Sequence, residues 1–236
     1  MPIIGVDIGG TKIRAILWNG RRVVRAREVP TPKDKSAFAR SLAALISFLC
    51  HRKSVDGIGI GAAGIVERST LLFSPNIPYL RNFDFRSVSL PSCPLRVDND
   101  ARAFGRAELL RGAGREAKRL FVLTIGTGVG RAYGRNGKIV KLKRLEYPER
   151  WEKEYQHLRD MPADRKLANF LGEKLSLLLQ PFDPGVIVIG GGVMERRGFL
   201  QKLETAFKAR GLSAKIKRAT FRKNGAALGA ALLFSN

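Results

Sequence analysis

Residues 6–28 and 123–145 of this chain are one segment written twice. Adding 117 carries Ile8, Gly9, Arg14, Ala15, Asn19, Gly20, Val23 and Arg27 onto Ile125, Gly126, Arg131, Ala132, Asn136, Gly137, Val140 and Arg144, eight identities in 23 positions without a gap. Each copy reads as an apolar strand, a Gly/Thr turn, a second strand and an Asn-Gly hairpin. A glycine turn exposes its backbone N–H groups to an anion, because no Cβ blocks the approach. Two such turns from a duplicated unit are expected to face each other across a cleft and hold one polyphosphate. The copies differ in one telling place: Asp7 of the first is Thr124 in the second.

A duplication within 236 residues implies two lobes, and 44% hydrophobic residues suffice for a sizeable core. The longest apolar stretch, Leu42 to Cys50, is too short to span a bilayer. Met1-Pro2 leads directly into a strand, so no signal peptide is expected. Two cysteines, Cys50 and Cys93, point to a reducing, cytoplasmic compartment and to packing roles rather than a disulfide framework or a zinc cluster. A net charge of +23 attracts polyanions, so nucleic acid must be weighed beside nucleotide phosphate. The basic residues are spread over 12–53, 131–166 and 196–223 without an arm or interleaved aromatics, which implies only nonspecific nucleic-acid binding.

Alternation and turn residues place strands at 3–7, 12–18, 22–28, 57–61 and 95–97, with an amphipathic helix at 36–51 carrying Phe38, Leu42, Leu45, Ile46 and Leu49. His51 closes that helix as a cap or surface residue. The prolines of Ser74-Pro75-Asn76-Ile77-Pro78 make a loop, and a helix follows from about 101 to 111. The second half repeats the plan: strands at 120–125, 129–134 and 138–142, helices near 149–159 and 163–179, and a fully apolar strand at 186–189. A glycine triplet then opens another helix, a strand lies near 213–218, and small residues form a closing helix at 225–234. This mixed alternation excludes a sandwich, a bundle or a barrel. The expected organisation is an N-terminal lobe at 1–113, a C-terminal lobe at 114–223, a hinge near 112–115, and the closing helix of 224–236 packing back on the first lobe.

Asp7 ends a buried strand just before Gly9-Gly10. A carboxylate beside a phosphate cradle suits Mg²⁺ held through water, although it can also bond the turn's own amides. Thr11 and Lys12 add a hydroxyl and an ammonium, and Gly126-Thr127-Gly128 offers a second nest of amides. Gly190-Gly191-Gly192 after Val186–Ile189 has the general form of a strand-to-helix nucleotide turn, or of close strand–helix packing. In Asp98-Asn99-Asp100 one residue is expected to cap the next helix, while a carboxylate there also suits the proton acceptor that hydroxyl phosphorylation requires.

As a set, these residues resemble the ROK family (repressor, open reading frame, kinase) within the actin-like ATPase superfamily. Asp7-Ile-Gly-Gly-Thr-Lys12 is similar to its first phosphate motif, Ser74-Pro-Asn-Ile-Pro78 to its substrate loop and Asn99-Asp100-Ala-Arg-Ala103 to its Asn-Asp-Ala-x-Ala signature. Leu123–Gly130 and Ile189–Val193 resemble the second phosphate and adenosine motifs. The resemblance implies a duplicated α/β, ribonuclease H-like fold with a nucleotide and substrate cleft, ATP and Mg²⁺ as phosphoryl donor and metal, and a sugar acceptor. It makes Asp100 the catalytic base, lets Asn76 and Asn99 contact sugar hydroxyls, and gives Asp7 the Mg²⁺. Family members often form dimers or tetramers, so a homodimer is compatible with it.

The chain departs from the family after residue 140. A Glu-x-Gly-His sugar clamp and a cysteine-rich zinc site are missing. Glu146 and Glu149 lie nearest the clamp's position and are assigned to the substrate, whereas Glu154 and His157 share a helix face further on. Segment 149–159 reads as a charged surface helix, and Arg131 as a cation near the second turn, facing a phosphate, an acidic sugar or solvent. The reading that follows is an ATP-dependent sugar kinase. Its competitors are a non-catalytic nucleotide- or sugar-binding regulator and an ATPase with a non-sugar acceptor.

Overall fold

The computed structural model describes residues 2–50 and 54–235, so His51 lies outside the described residues. The chain divides into two compact units, residues 1–107 with 224–236, and residues 108–223.

In the first unit β1 (Ile3–Ile8), β2 (Lys12–Trp18) and β3 (Val23–Pro30) are followed by α1 (Lys35–Cys50) and β4 (Gly57–Ala62). Three short strands come next, β5 (Ile65–Glu67), β6 (Thr70–Phe73) and β7 (Phe83–Asp84), and then β8 (Leu95–Asn99) and α2 (Asp100–Arg111). The second unit contains β9 (Arg119–Ile125), β10 (Val129–Arg135), β11 (Lys138–Val140), α3 (Glu152–Asp160) and α4 (Asp164–Leu179). It continues with β12 (Val186–Gly190), α5 (Phe199–Lys208) and β13 (Lys215–Arg218), and α6 (Gly225–Ala231) returns to the first unit.

The two main sheets have the same plan, β3-β2-β1-β4-β8 and β11-β10-β9-β12-β13. In each, a central strand carries an antiparallel hairpin on one side and parallel strands on the other. The small sheet β5-β6-β7 has no counterpart in the sequence reading, because its segments are two to four residues long and carry no measurable period.

Side chains of α1 spaced at helical intervals, Phe38, Leu42, Leu45, Ile46 and Leu49, bury against Ile4, Val6, Ile8 and Ile13. At the usual burial energy those five contribute on the order of 10 kcal/mol. The opposite face of the sheet is covered by α6, and here glycine is a packing requirement. A Cβ on Gly5 would lie 1.9 Å from Ala227 O, one on Gly59 2.0 Å from Ala230 O, and one on Gly229 1.5 Å from Ala103 O. The closing segment is thus α-helical only to Ala231 and ends in a 3-10 turn, Leu232–Phe234.

The repeat is not gapless in three dimensions. Ile8 pairs with Ile13 across a four-residue turn, whereas Ile125 pairs with Val129 across three residues. Arg14 therefore stands opposite Asp7, but Arg131 stands opposite Leu123. One residue of slip sends a strand's side chains to the other face. Arg131 accordingly lies on the side of Leu123, Ile125 and Tyr133 and is only 4% exposed.

The chain passes between the units twice, at 107/108 and 223/224. Within the second unit both ends meet on Glu108, which is fully buried and accepts hydrogen bonds from Ala113 N (2.9 Å) and Phe221 N (2.8 Å). Both cysteines are free and half-buried, and burial pushes both thiols up. Among the described residues no helix is long and apolar enough to cross a membrane.

Candidate functional site

In the first unit the strand register aligns Asp7, Gly61 and Asp98 side by side on β1, β4 and β8. Asp98 is committed to structure. Its carboxylate accepts from Arg102 Nε (2.6 Å), Arg106 Nη2 (2.5 Å) and Asn99 N (2.8 Å), and the two guanidiniums hold it below the usual carboxylate range. Asn99 is the helix cap: its Oδ1 accepts from Arg102 N (3.0 Å) and its Nδ2 donates to Gly64 O (2.9 Å).

Asp100 begins α2 one residue later. Burial pushes its carboxyl up to about 6, against the pull of its own and Ala101's amides and of Arg102. Asp7 is pushed up to about 7, first by burial and then by the charge of Asp100, while Lys12 and Arg14 pull the other way. Two mutually repelling carboxylates beside a glycine turn fit a hydrated divalent cation, which would relieve both. Among the described residues no group of three His, Cys, Asp or Glu converges as a ready-made metal cage. A metal here would rely on water and phosphate for most of its ligands.

The first turn is anchored from outside. Gly9 N donates to Lys12 O (3.0 Å), and Thr31 Oγ1 donates to Gly9 O (2.7 Å). A Cβ on Gly10 would lie 2.7 Å from Asn76 Cβ, so the turn and the Ser74–Pro78 loop touch. Asn76 and Thr11 are exposed. Lys12 Nζ lies 3.3 Å from Glu28 Oε1 at the surface. Arg14, which sequence reading left out of the site, donates to Asn224 Oδ1 (2.7 Å) and Glu28 Oε2 (3.0 Å). Its place opposite Asp7 was readable from strand alternation alone.

In the second unit Thr124 occupies the position of Asp7, flanked by Gly130 and Gly190. The turn Gly126-Thr127-Gly128 closes with Gly126 N donating to Gly128 O (3.0 Å). The glycine triplet lies against it: the Cβ direction of Gly126 ends 4.0 Å from Gly192 N. Gly191 has φ +96°, and a Cβ there would sit 2.3 Å from Ile125 O, so only glycine fits. The triplet opens a single 3-10 turn, Gly192–Glu195, rather than the expected helix, and α5 starts only at Phe199.

Two expectations for the departing segment are corrected. Arg131 faces neither solvent nor an open anion site; it donates to Glu152 Oε1 (2.6 Å) and Tyr147 O (2.9 Å) on the buried side of the sheet. Segment 149–159 is not simply a charged surface helix, because α3 buries Tyr155 and Leu158. Glu154 and His157 are exposed on it. Glu149 is exposed, with Oε1 3.9 Å from Arg131 Nη1, and the half-buried Glu146 ends a 3-10 turn at Lys143–Leu145. Sequence reading also missed Tyr155, Gln156 and Arg159, whose side chains reach the carbonyls of the second turn. Only their spacing on one helix face, with Tyr155 buried, could have signalled it.

A duplicated α/β fold with a glycine turn in each unit and a half-buried carboxylate at a helix start defines the actin-like ATPase class. The ROK family model matches residues 3–142 and 157–236, and the chain belongs to the ROK family. A glucokinase of Streptomyces coelicolor is 34% identical over 131 residues, 54% of this chain and 41% of that enzyme, so this match spans under half the relative's length. A β-glucoside kinase of Klebsiella pneumoniae is 30% identical over 257 aligned positions covering 86% of each chain. Among solved structures, a ROK glucokinase from Streptomyces griseus in complex with glucose and AMPPNP superposes with TM-score 0.83 at 25% identity, covering 99% of both chains.

Proposed function

We propose that this protein is an ATP-dependent kinase that phosphorylates a hydroxyl group of a sugar. The observation that carries the reading is Asp100: a half-buried carboxylate at a helix start, raised to about 6, beside Asp7 and in the unit that holds the Gly9–Lys12 turn. At neutral pH it is largely ionised yet poised to take a proton. The acceptor hydroxyl oxygen bonds to the terminal phosphorus of ATP, the bond to the ADP oxygen breaks, and the hydroxyl proton passes to Asp100. Gly9 N and Gly126 N are spent closing their own turns. The amides assigned to phosphate charge are therefore those of Gly10 and Thr11 in the first turn and of Thr127 and Gly128 in the second, with Gly190–Gly192 offering a side-chain-free surface to adenosine. Asp7 would hold Mg²⁺ through water, and the metal when bound neutralises phosphate charge. The exposed Asn76 fits a contact to a sugar hydroxyl, whereas Asn99 is buried with both ends of its amide engaged by Arg102 N and Gly64 O. Glu146 and Glu149 are assigned to the same substrate. The kinase names of the relatives support this reading.

A screen of hexoses, amino sugars and β-glucosides with ADP release as the signal tests it. Turnover on at least one sugar, dependent on ATP, is expected. The second reading is a non-catalytic nucleotide- or sugar-binding regulator, with which the +23 charge is compatible although its spread implies only nonspecific nucleic-acid binding. Sequence-specific DNA binding that survives physiological salt, without ATP turnover, would carry it. ADP release with non-sugar acceptors only would identify the third.

A further inference from the structure

The carbonyl groups of the second glycine turn are held by one helix. Tyr155 Oη donates to Gly126 O at 2.5 Å. Arg159 Nη1 donates to Thr127 O at 2.9 Å and to Gly126 O at 3.3 Å, and Gln156 Nε2 lies 3.5 Å from Thr127 O. The Tyr155 ring is fully buried among the side chains of the second core, and burial pushes its phenol well above the usual range, so it remains a donor. Arg159 is steadied in turn by Asp160, at 2.8 and 2.9 Å.

In a planar trans peptide the C=O and the following N–H point in opposite directions, and no cis peptide bond occurs among the described residues. With the carbonyls of Gly126 and Thr127 turned into α3, the N–H groups of Thr127 and Gly128 must point away from it. We propose that Tyr155 and Arg159 are positioning residues that fix these two amides for the phosphates of a nucleoside triphosphate. The inference rests on the kinase reading above and adds how the second turn is kept in its binding orientation. A Gly-Thr-Gly turn left to itself has the backbone freedom to rotate its peptide planes. Anchoring the carbonyls removes that freedom before the ligand arrives, and preorganisation of this kind is felt as affinity.

The first turn is pinned differently, by the Thr31 hydroxyl on Gly9 O. The brace on the second turn comes partly from residues 143–156, which the family model leaves unmatched and which contain Tyr155. The segment in which this chain departs from its family thus contributes to the phosphate site itself.

The test uses the full chain with Tyr155→Phe, Arg159→Met and Arg159→Lys. Binding of Mg²⁺–AMPPNP is measured by calorimetry, KM for ATP, KM for the sugar and kcat by ADP release, and the melting temperature by fluorescence. Tyr155→Phe keeps the buried ring and removes one hydrogen bond. It is expected to weaken AMPPNP binding and raise KM for ATP by about tenfold, the effect of one well-placed hydrogen bond, with KM for the sugar unchanged. Arg159→Met is expected to do the same and Arg159→Lys to recover part of the loss. A lower melting temperature with unaltered nucleotide binding would assign Tyr155 and Arg159 to packing alone and overturn the proposal. If the unmodified protein binds no AMPPNP, the kinase reading fails as well, so the two failures are distinguishable.

Discussion

Asp7 and Arg14 stand opposite each other in the β1–β2 register and so share one face of the sheet. The guanidinium is nevertheless drawn away to Asn224 and Glu28, and burial together with Asp100 outweighs the cations in setting the Asp7 carboxyl at about 7. That value lies above the roughly 3.9 of an unfolded aspartate, so between about pH 4 and 7 the folded protein holds a proton that the unfolded chain has lost. Stability from this group therefore falls as pH rises through that window, and the penalty is fully present above it. Asp7→Asn should raise the melting temperature at pH 8 and have little effect at pH 4. Thermal melts across that range check it; an equal gain at both pH values would contradict the assignment.

Asp100 makes a separate prediction about rate. Asp100→Asn should lower kcat by about 10²–10⁴-fold, the usual worth of a general base, while AMPPNP affinity is retained. In the unmodified protein, on the proposed kinase reading, the acid limb of kcat/KM should fall near pH 6, where Asp100 takes up its proton. Normal turnover by the variant would remove Asp100 from the mechanism.

Glu108 ties the entry and exit of the second unit through Ala113 N and Phe221 N. Glutamine supplies one acceptor oxygen and turns the other position into a donor. Glu108→Gln should therefore cost about 2–3 kcal/mol in urea unfolding, with amide exchange at 113 and 221 accelerating first. Unchanged protection at both amides would show that the carboxylate does not hold these segments.

Arg131 and Glu152 form a buried ion pair, with side-chain exposures of 3% and 12%. Glu152→Ala strands the guanidinium and should cost about 3–5 kcal/mol. The double variant Arg131→Met/Glu152→Leu, which removes both charges, should cost less than the single one. Denaturant unfolding of the two proteins decides it; a double variant that is the weaker of the pair would contradict this energetic reading of Arg131.

The elements were legible from local patterns. Five apolar side chains at helical spacing foretold α1, and the β1–β2 and β9–β10 hairpins followed from glycine turns between apolar runs. Asp7 and Asp100, both singled out from the sequence, lie near enough that the charge of Asp100 raises the Asp7 carboxyl. Arg131 was not legible. A gapless repeat implied that it mirrors Arg14, and the shorter second turn reversed its face. The strands of the small sheet were too short for any periodic signal, and the bonds from Tyr155 and Arg159 to Gly126 and Thr127 join residues about thirty positions apart.

By itself the sequence determined the duplication, the alternation of strands and helices, and the residue types at the glycine turns, because each is written in short-range periodicity and turn chemistry. Tertiary structure alone decided which face Arg131 occupies, that Asp98 is spent on Arg102 and Arg106 while Asp100 stays available, and that α3 holds the second turn. The physical reason is common to all three. Strand register and long-range hydrogen bonds depend on where distant segments meet, and a one-residue difference in turn length is enough to move a side chain from one face of a sheet to the other.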